Sequence, residues 1–198
     1  FTQAAKEHNA DIVLRFTADC PFLDPTVIQE VIRLRSMTNA DYASNVDPAT
    51  YPDWLDTECF TAEALYAADA EATLPTDRDC MTQFILRNRH RWKSEALICP
   101  LPGLVKERWV LDSKRDYEFC KAIAKRMSGQ APSYLDILAI LEREPELRKL
   151  NEGQPRNERF YASLAIEPIQ KRVYANSGKL LERAKKTIPL AAQTFSKS

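Results

Sequence analysis

Two aspartates carry the chemistry that this sequence suggests. Asp19 closes the stretch Arg15-Phe16-Thr17-Ala18-Asp19, and Asp112 closes Arg108-Trp109-Val110-Leu111-Asp112. Each stretch reads Arg, aromatic, two further residues, acid. Each follows or contains a short apolar run and stands just ahead of a helix start. If both runs are strands of a parallel sheet, both carboxylates fall beyond the strands' carboxyl ends, where α/β sheets bind ligands. Two carboxylates at one edge suit a hard divalent cation such as Mg²⁺, which accepts one or two carboxylates, keeps waters and takes further ligands from substrate phosphates. The chemistry so suggested is phosphoryl or nucleotidyl transfer, in which a metal neutralises developing charge and the protein mostly positions. Arg15 and Arg108 could screen phosphate or carboxylate charge. The other reading is that each aspartate caps the helix after it, a position Asp favours.

Other reactive residues carry less. Asp53, Asp56 and Glu58 lie within six residues of one another in YPDWLDTECF. Acids so placed bind sugar hydroxyls or form turns. Cys20 directly follows Asp19, but no histidine is near in sequence to activate it, so it reads as a small buried residue. His90, in RNRHRW, reads as helix surface near a C-terminus, where positive charge is favourable.

Alternating strands and helices must position these residues. DIVLRFTA reads as a buried strand, followed by Asp24 as N-cap and Pro25 at the first position of a helix through TVIQEVIRLRSM. DYASNV and DTECF read as strands, with Thr61 capping a helix through AEALYAADAEA. A single helix is expected over RDCMTQFILRNRHRW, a strand over SEALICPL, and a short strand over ERWVLD ending on Asp112. Ser113 with Asp116, and Ser133 with Asp136, have the spacing of capping boxes, with Asp for the usual Glu. Pro145 should end the last of these helices. The alternation predicts an α/β domain with a mostly parallel sheet. From Asn151 the chain turns polar and reads as a linker, and NSGKLLERAKKTIP then reads as one amphipathic helix stopped by Pro189.

Composition excludes several classes. The 198 residues are 44% hydrophobic and 28% charged, ordinary for a globular protein. No apolar run reaches the roughly 20 residues that span a bilayer, so no membrane association is expected. Five scattered cysteines without a Cys-x-x-Cys pair argue against a disulfide framework or a zinc site, and for a reducing cytoplasm. The net charge is zero, which gives no support for nucleic-acid binding. It is uneven: from Asn151 onward nine Lys/Arg oppose four Glu, leaving that tail at +5 and the first 150 residues at −5. The start on Phe1 and the end at TFSKS give the chain the look of an excerpt cut at both ends.

RFTADCPFLDPTVIQEVI, DYASN, YPDWLDTECF, ERWVLDSKRDYEFCKAI and NEG occur in this order. Together they resemble the SpsF-like cytidylyltransferases of spore-coat and surface-polysaccharide synthesis, relatives of the acylneuraminate synthetases. The resemblance covers roughly residues 1–165. It implies a nucleotide-diphospho-sugar transferase-like fold, a Rossmann-like three-layer α/β architecture, here incomplete and carrying a C-terminal helical extension. It implies transfer of CMP from CTP to an acidic sugar, with Mg²⁺ required and pyrophosphate released. Asp19 and Asp112 would then hold the metal, with Arg15 and Arg108 beside them. The loop with Asp53, Asp56 and Glu58 would line the sugar pocket, and Arg78 would contact substrate. No residue is assigned as a catalytic acid or base.

The departures from that family are specific. Trp54 replaces a usual Gly in the Pro-Asp-Gly-Leu-Asp loop. Arg78 to Thr82 read Arg-Asp-Cys-Met-Thr where the family often has Arg-Glu-His-Val-Thr. Asp112 to Asp116 read Asp-Ser-Lys-Arg-Asp for Asp-Thr-Pro-Glu-Asp. The family's Gly-rich phosphate loop has no counterpart among the four glycines of this chain, so weak CTP binding is expected. The last residues, NSGKLLERAKKTIPLAAQTFSKS, resemble the opening of a class III PLP-dependent aminotransferase of the glutamate-1-semialdehyde aminomutase type. The expected organisation is therefore residues 1–150 as the C-terminal part of a cytidylyltransferase-like domain, 151–176 as tail and linker, and 177–198 as the first helix of an aminotransferase domain. PLP would belong only to that downstream domain. The expected partners are CTP and an acidic sugar, with a homodimer as the one assembly considered. The rival function is a non-catalytic sugar-binding or dimerisation module of the fused aminotransferase.

Overall fold

The computed structural model describes residues 1–53, 55–127, 133–153, 156, 161, 162, 164 and 165. The chain divides into two compact units, Phe1–Ile166 and Glu167–Ser198, and every described residue lies in the first. The amphipathic helix and aminotransferase-like segment expected after residue 176 therefore lie outside the described residues, as does Trp54.

Four strands form one sheet: β1 (Ile12–Arg15), β2 (Tyr42–Ser44), β3 (Glu58–Thr61) and β4 (Ser94–Ala96), in the order β1-β3-β2-β4. β3 runs antiparallel to both its neighbours, and β2 and β4 pair in parallel. Three of the four strands thus point the same way, as an α/β alternation requires, and β3 makes the sheet mixed. The register sets Arg15 opposite Glu58, Glu58 opposite Ser44 and Ser44 opposite Ala96. The carboxyl ends of β1, β2 and β4 and the amino end of β3 therefore share one edge.

Alternation along the strands separates two packed faces. Tyr42 and Phe60 stack with ring centroids 6.4 Å apart. They pack with Ala5 of α1 (Thr2–Glu7), Ala64 and Leu65 of α3 (Ala62–Glu71) and Ile85 of α5 (Met81–Arg87). Their neighbours Ala43 and Cys59 face the other way, onto Val31 of α2 (Pro25–Thr38). Helices on both faces make three layers. A further cluster joins Trp109 and Leu55 to α6 (Lys114–Ala124) and α7 (Tyr134–Arg143) through Phe119, Ile123 and Ile137. Each fully buried aliphatic or aromatic side chain here contributes about 1.5–3 kcal/mol relative to exposure.

The N-caps expected from sequence form, although Ser133 caps α7 without the reciprocal bond from Asp136 that a capping box would have. Asp24 Oδ1 accepts from Thr26 N at 2.7 Å, and its Oδ2 accepts from Tyr134 N at 2.9 Å, so one side chain starts α2 and pins α7. Thr61 caps α3, Ser133 accepts from Leu135 N, and Ser113 with Asp116 forms a complete capping box. α7 stops at Arg143, before Pro145.

Three local expectations change. The helix expected over residues 78–92 is broken at Cys80 (φ −132°, ψ 97°) into α4 (Pro75–Asp79) and α5, followed by a 3-10 turn at Arg89–Arg91. Arg108–Asp112 is extended but makes a single bridge, Arg108 to Asp53, and does not join the sheet. Asn151, expected to open a solvated linker, is 5% exposed and donates to Arg108 O at 2.8 Å. For Arg108 and Asn151 a tertiary partner outweighs local propensity.

Candidate functional site

A cleft of about 680 Å³ opens at the sheet edge defined by Arg15, Ser44, Glu58 and Ala96. Asp19 and Asp112 both line it. They reach it by different routes. β1 ends at Arg15, and Asp19 stands four residues on in a turn that closes with Cys20 N donating to Thr17 O at 3.3 Å. Asp112 arrives on the extended segment after β4, and Leu111 N donates to Asp19 O at 3.1 Å. That one backbone bond brings the two aspartate-bearing loops side by side.

The two carboxylates differ in surroundings. Asp19 Oδ1 is buried and has no hydrogen-bond partner among the described residues. An acceptor taken from water without compensation costs about 1–3 kcal/mol, and a hard cation is the ligand that a bare carboxylate oxygen suits. Asp112 is held from behind: Arg108 Nη2 lies 3.6 Å from its carboxylate. Neither aspartate is the N-cap of the next helix; Asp24 and Ser113 are.

The floor of the cleft is Glu58, 2% exposed, ion-paired with Arg15 and accepting from the Tyr42 hydroxyl at 2.7 Å. Burial pushes the Tyr42 phenol well above its ordinary value, and the charge of Glu58 adds to this, so it stays a donor. Asp56 also lines the cleft and is 3.2 Å from Arg156 Nη2.

Asp53, Arg108 and Arg78 are placed elsewhere. Asp53, 1% exposed, is ion-paired with Arg156 Nε at 2.9 Å and Arg108 Nη1 at 3.5 Å. Arg108 is turned inward among Asp53, Asp112 and Asp116, beneath the cleft. Arg78 lines a separate surface cleft and bonds Asp69 O at 3.0 Å. Its neighbour Asp79 lines the aspartate cleft, because successive helical residues point about 100° apart.

Several lining residues escaped sequence reasoning. Asp47, three residues beyond β2, ion-pairs with Arg89. The signal for it was present: an acid just past a strand's carboxyl end, as at Asp19. Arg87, Arg89 and Cys80 reach the cleft only because the helix breaks at Cys80, which no periodicity shows. Arg156, deep in the expected linker, had no signal at all. Among the described residues the lining holds six carboxylates and three guanidiniums. Such an excess of negative charge repels a phosphate or carboxylate ligand unless a cation enters with it. Among the described residues no cluster of three or more His, Cys, Asp or Glu is arranged to hold a metal ion. Any metal here would rest on two carboxylates and complete its shell from water and substrate.

Burial pushes the Cys20 thiol up to about 12, partly offset by its contact with Thr17, so it is no nucleophile. No helix among the described residues is long and apolar enough to cross a membrane.

No family model matches the chain. It is similar to an uncharacterized protein of Methanocaldococcus jannaschii, 25% identical over 153 residues that cover 76% of this chain and 61% of that protein. Among solved structures it is similar to a cytidylyltransferase from Leptospira borgpetersenii, with a TM-score of 0.70 and 24% identity over 78% of this chain and 64% of that one. The chain thus spans a little over three fifths of the length of either relative. The structural likeness shows that the two chains share one α/β fold over those residues.

Proposed function

We propose that this chain is part of a nucleotidyltransferase that moves CMP from CTP to an acidic sugar, with Mg²⁺ at the cleft and pyrophosphate as leaving group. The observation that carries the proposal is the convergence of Asp19 and Asp112 on one acidic cleft, at the sheet edge of a fold shared with a cytidylyltransferase. Asp19, through its bare Oδ1, and Asp112 would hold the ion. When bound, the ion would neutralise triphosphate charge and favour loss of pyrophosphate. Glu58 and Asp56, at the floor and flank, would accept hydrogen bonds from sugar hydroxyls. Arg87 and Arg89, already ion-paired with Asp77 and Asp47, would exchange part of that pairing for the sugar carboxylate. The α/β unit excludes water from the floor through Tyr42 and Phe60 behind Glu58.

The test is pyrophosphate release by the complete protein with CTP, Mg²⁺ and candidate acidic sugars. Asp112→Asn should lower turnover at least about a hundredfold, the scale of losing a major electrostatic contact to the transition state. Unchanged turnover removes Asp112 from the site. A folded protein that gives no heat with CTP and Mg²⁺ in calorimetry favours the non-catalytic module instead. The fused PLP-dependent aminotransferase remains a proposal resting on the sequence of residues 177–198. A cofactor-lysine motif encoded beyond Ser198 is its test.

A further inference from the structure

Asp116 is fully buried beneath the cleft and accepts several hydrogen bonds there. Its Oδ2 accepts from Asp112 N at 3.3 Å, Ser113 N at 3.0 Å and Ser113 Oγ at 2.9 Å. Its Oδ1 accepts from Arg108 Nε at 3.2 Å and Asn151 Nδ2 at 3.3 Å. Arg108 then reaches the Asp112 carboxylate from the side. Both the backbone and the side chain of Asp112 are therefore held by one Asp116–Arg108 pair. A capping box needs only the Ser113 bonds. The additional bonds to Asp112 N, Arg108 and Asn151 add nothing to the helix start and converge on the cleft.

Asn151 closes the arrangement. Its amide donates both to Asp116 and to Arg108 O, at 2.8 Å, so it fixes the backbone and the partner of the same arginine. It lies 35 residues beyond Asp116, and the segment that follows it reaches the cleft again. Arg156 ion-pairs with Asp53 and Asp56 and donates to Tyr51 O at 3.2 Å, and Leu164 lines the cleft.

We infer that Asn151 and Asp116 are positioning residues for Asp112: they set the orientation in which its carboxylate meets a divalent cation. Asn151, Arg156 and Leu164, all beyond α7, thereby belong to the site. The inference rests on the proposed metal role of Asp19 and Asp112. Groups that orient metal ligands without touching the metal commonly change its affinity 10–100-fold.

The experiment is Mn²⁺ binding to the full 198-residue chain, read from the free-ion EPR signal and paired with near-UV circular dichroism. Asn151→Ala should weaken Mn²⁺ binding about tenfold with the dichroism and stoichiometry of the parent retained. Asn151→Asp, which keeps the shape but loses both donated bonds, should weaken it at least as much. Ser113→Ala, which removes the Ser113 hydroxyl's bonds to the Asp116 carboxylate and backbone N and spares Asn151, should weaken it less, and decides the matter if the Asn151 variants do not fold. Parent affinity in folded Asn151→Ala, or in Ser113→Ala when that variant decides, overturns the inference while Asp112→Asn still abolishes binding, and leaves the proposed function standing. Absence of Mn²⁺ binding by the parent, or undiminished binding by Asp112→Asn, overturns the metal reading and the inference together.

Discussion

Arg15–Asp19 and Arg108–Asp112 share a five-residue pattern and end on the same cleft, yet the protein uses them in opposite ways. In the first, the arginine faces the cleft, on β1 beside Glu58, and the aspartate has a bare, buried oxygen. In the second, the arginine is turned inward among three carboxylates, and the aspartate is braced from behind. The first stretch is a strand end followed by a tight turn that accepts a backbone bond from Leu111. The second is an extended segment held by one bridge, a capping box and a remote asparagine. A pattern of residue types states which chemistry is present, and the partners decide which member of the pattern is offered to a ligand.

Stability should separate the two arginines most. Arg108→Ala leaves Asp53 and Asp116 buried without their shared cation, and removal of one partner from such a network costs about 3–5 kcal/mol. Arg15→Ala should cost about 1–2 kcal/mol, because Glu58 keeps the Tyr42 hydroxyl and Arg15 is partly exposed. Urea unfolding measures both, and equal losses would erase the distinction.

The aspartates should differ in the same experiment, in the opposite sense to their arginines' exposure. Asp19→Asn removes a charge from an acidic cleft and no observed hydrogen bond of Oδ1, so stability should stay unchanged or rise by up to about 1 kcal/mol. A loss of about 2 kcal/mol or more would mean that Asp19 has a structural role like that of the second stretch.

Acid should weaken the second stretch selectively. Burial alone would raise the Asp116 carboxyl, but hydrogen bonds from Arg108, Ser113 and Asn151 and the charge of Arg108 outweigh it and hold the group below the ordinary range. A depressed acid contributes stability that is present above the unfolded value of about 3.9 and lost as pH falls through the folded value. The stability gap between the parent and Asp116→Asn should therefore be widest near neutrality and shrink below about pH 4. A gap independent of pH from 7 to 3 would contradict this account.

The smallest effect concerns thiols. Cys80 is half-buried in the cleft, whereas Cys20, Cys59, Cys99 and Cys120 are buried, with burial pushing Cys20 and Cys120 up to about 12. Iodoacetamide at pH 8 should label Cys80 first, and CTP with Mg²⁺ should slow that labelling severalfold if the ligand sits on the first stretch's side of the cleft. Equal labelling of all five thiols would indicate that the cleft is not the ordered surface described.

Most of the fold was legible because its signals are local. Short strand-like runs marked β1, β2 and β3, and Asp24, Thr61 and Ser113 announced their helices through side chains that bond within three residues. Asp19 and Asp112 stood out as acids after apolar runs and ahead of helices, and Asp56 and Glu58 as acids of one loop; the structure places all four on one cleft. Arg78 was not distinguishable from Asp79, since which of two successive helical residues faces the cleft depends on how α4 is set against the rest of the fold. Trp109 resembled a strand residue, but Leu55 and the helices α6 and α7 bury it in a core that lies off the sheet.

By itself the sequence determined which residue types stand at element ends: acids just past β1 and β2, a capping box before α6, and arginines three or four residues from acids. These follow from short-range geometry, which depends on neighbours in the chain. Only the tertiary structure decided that Asp19 and Asp112 face one cleft, that Arg108 turns inward, and that Asn151 and Arg156 return to brace the site. Those outcomes depend on contacts across 35 to 105 residues, such as Asn151 to Asp116 and Arg156 to Tyr51. Such contacts form where packing of the whole α/β unit leaves a buried charge that needs a partner.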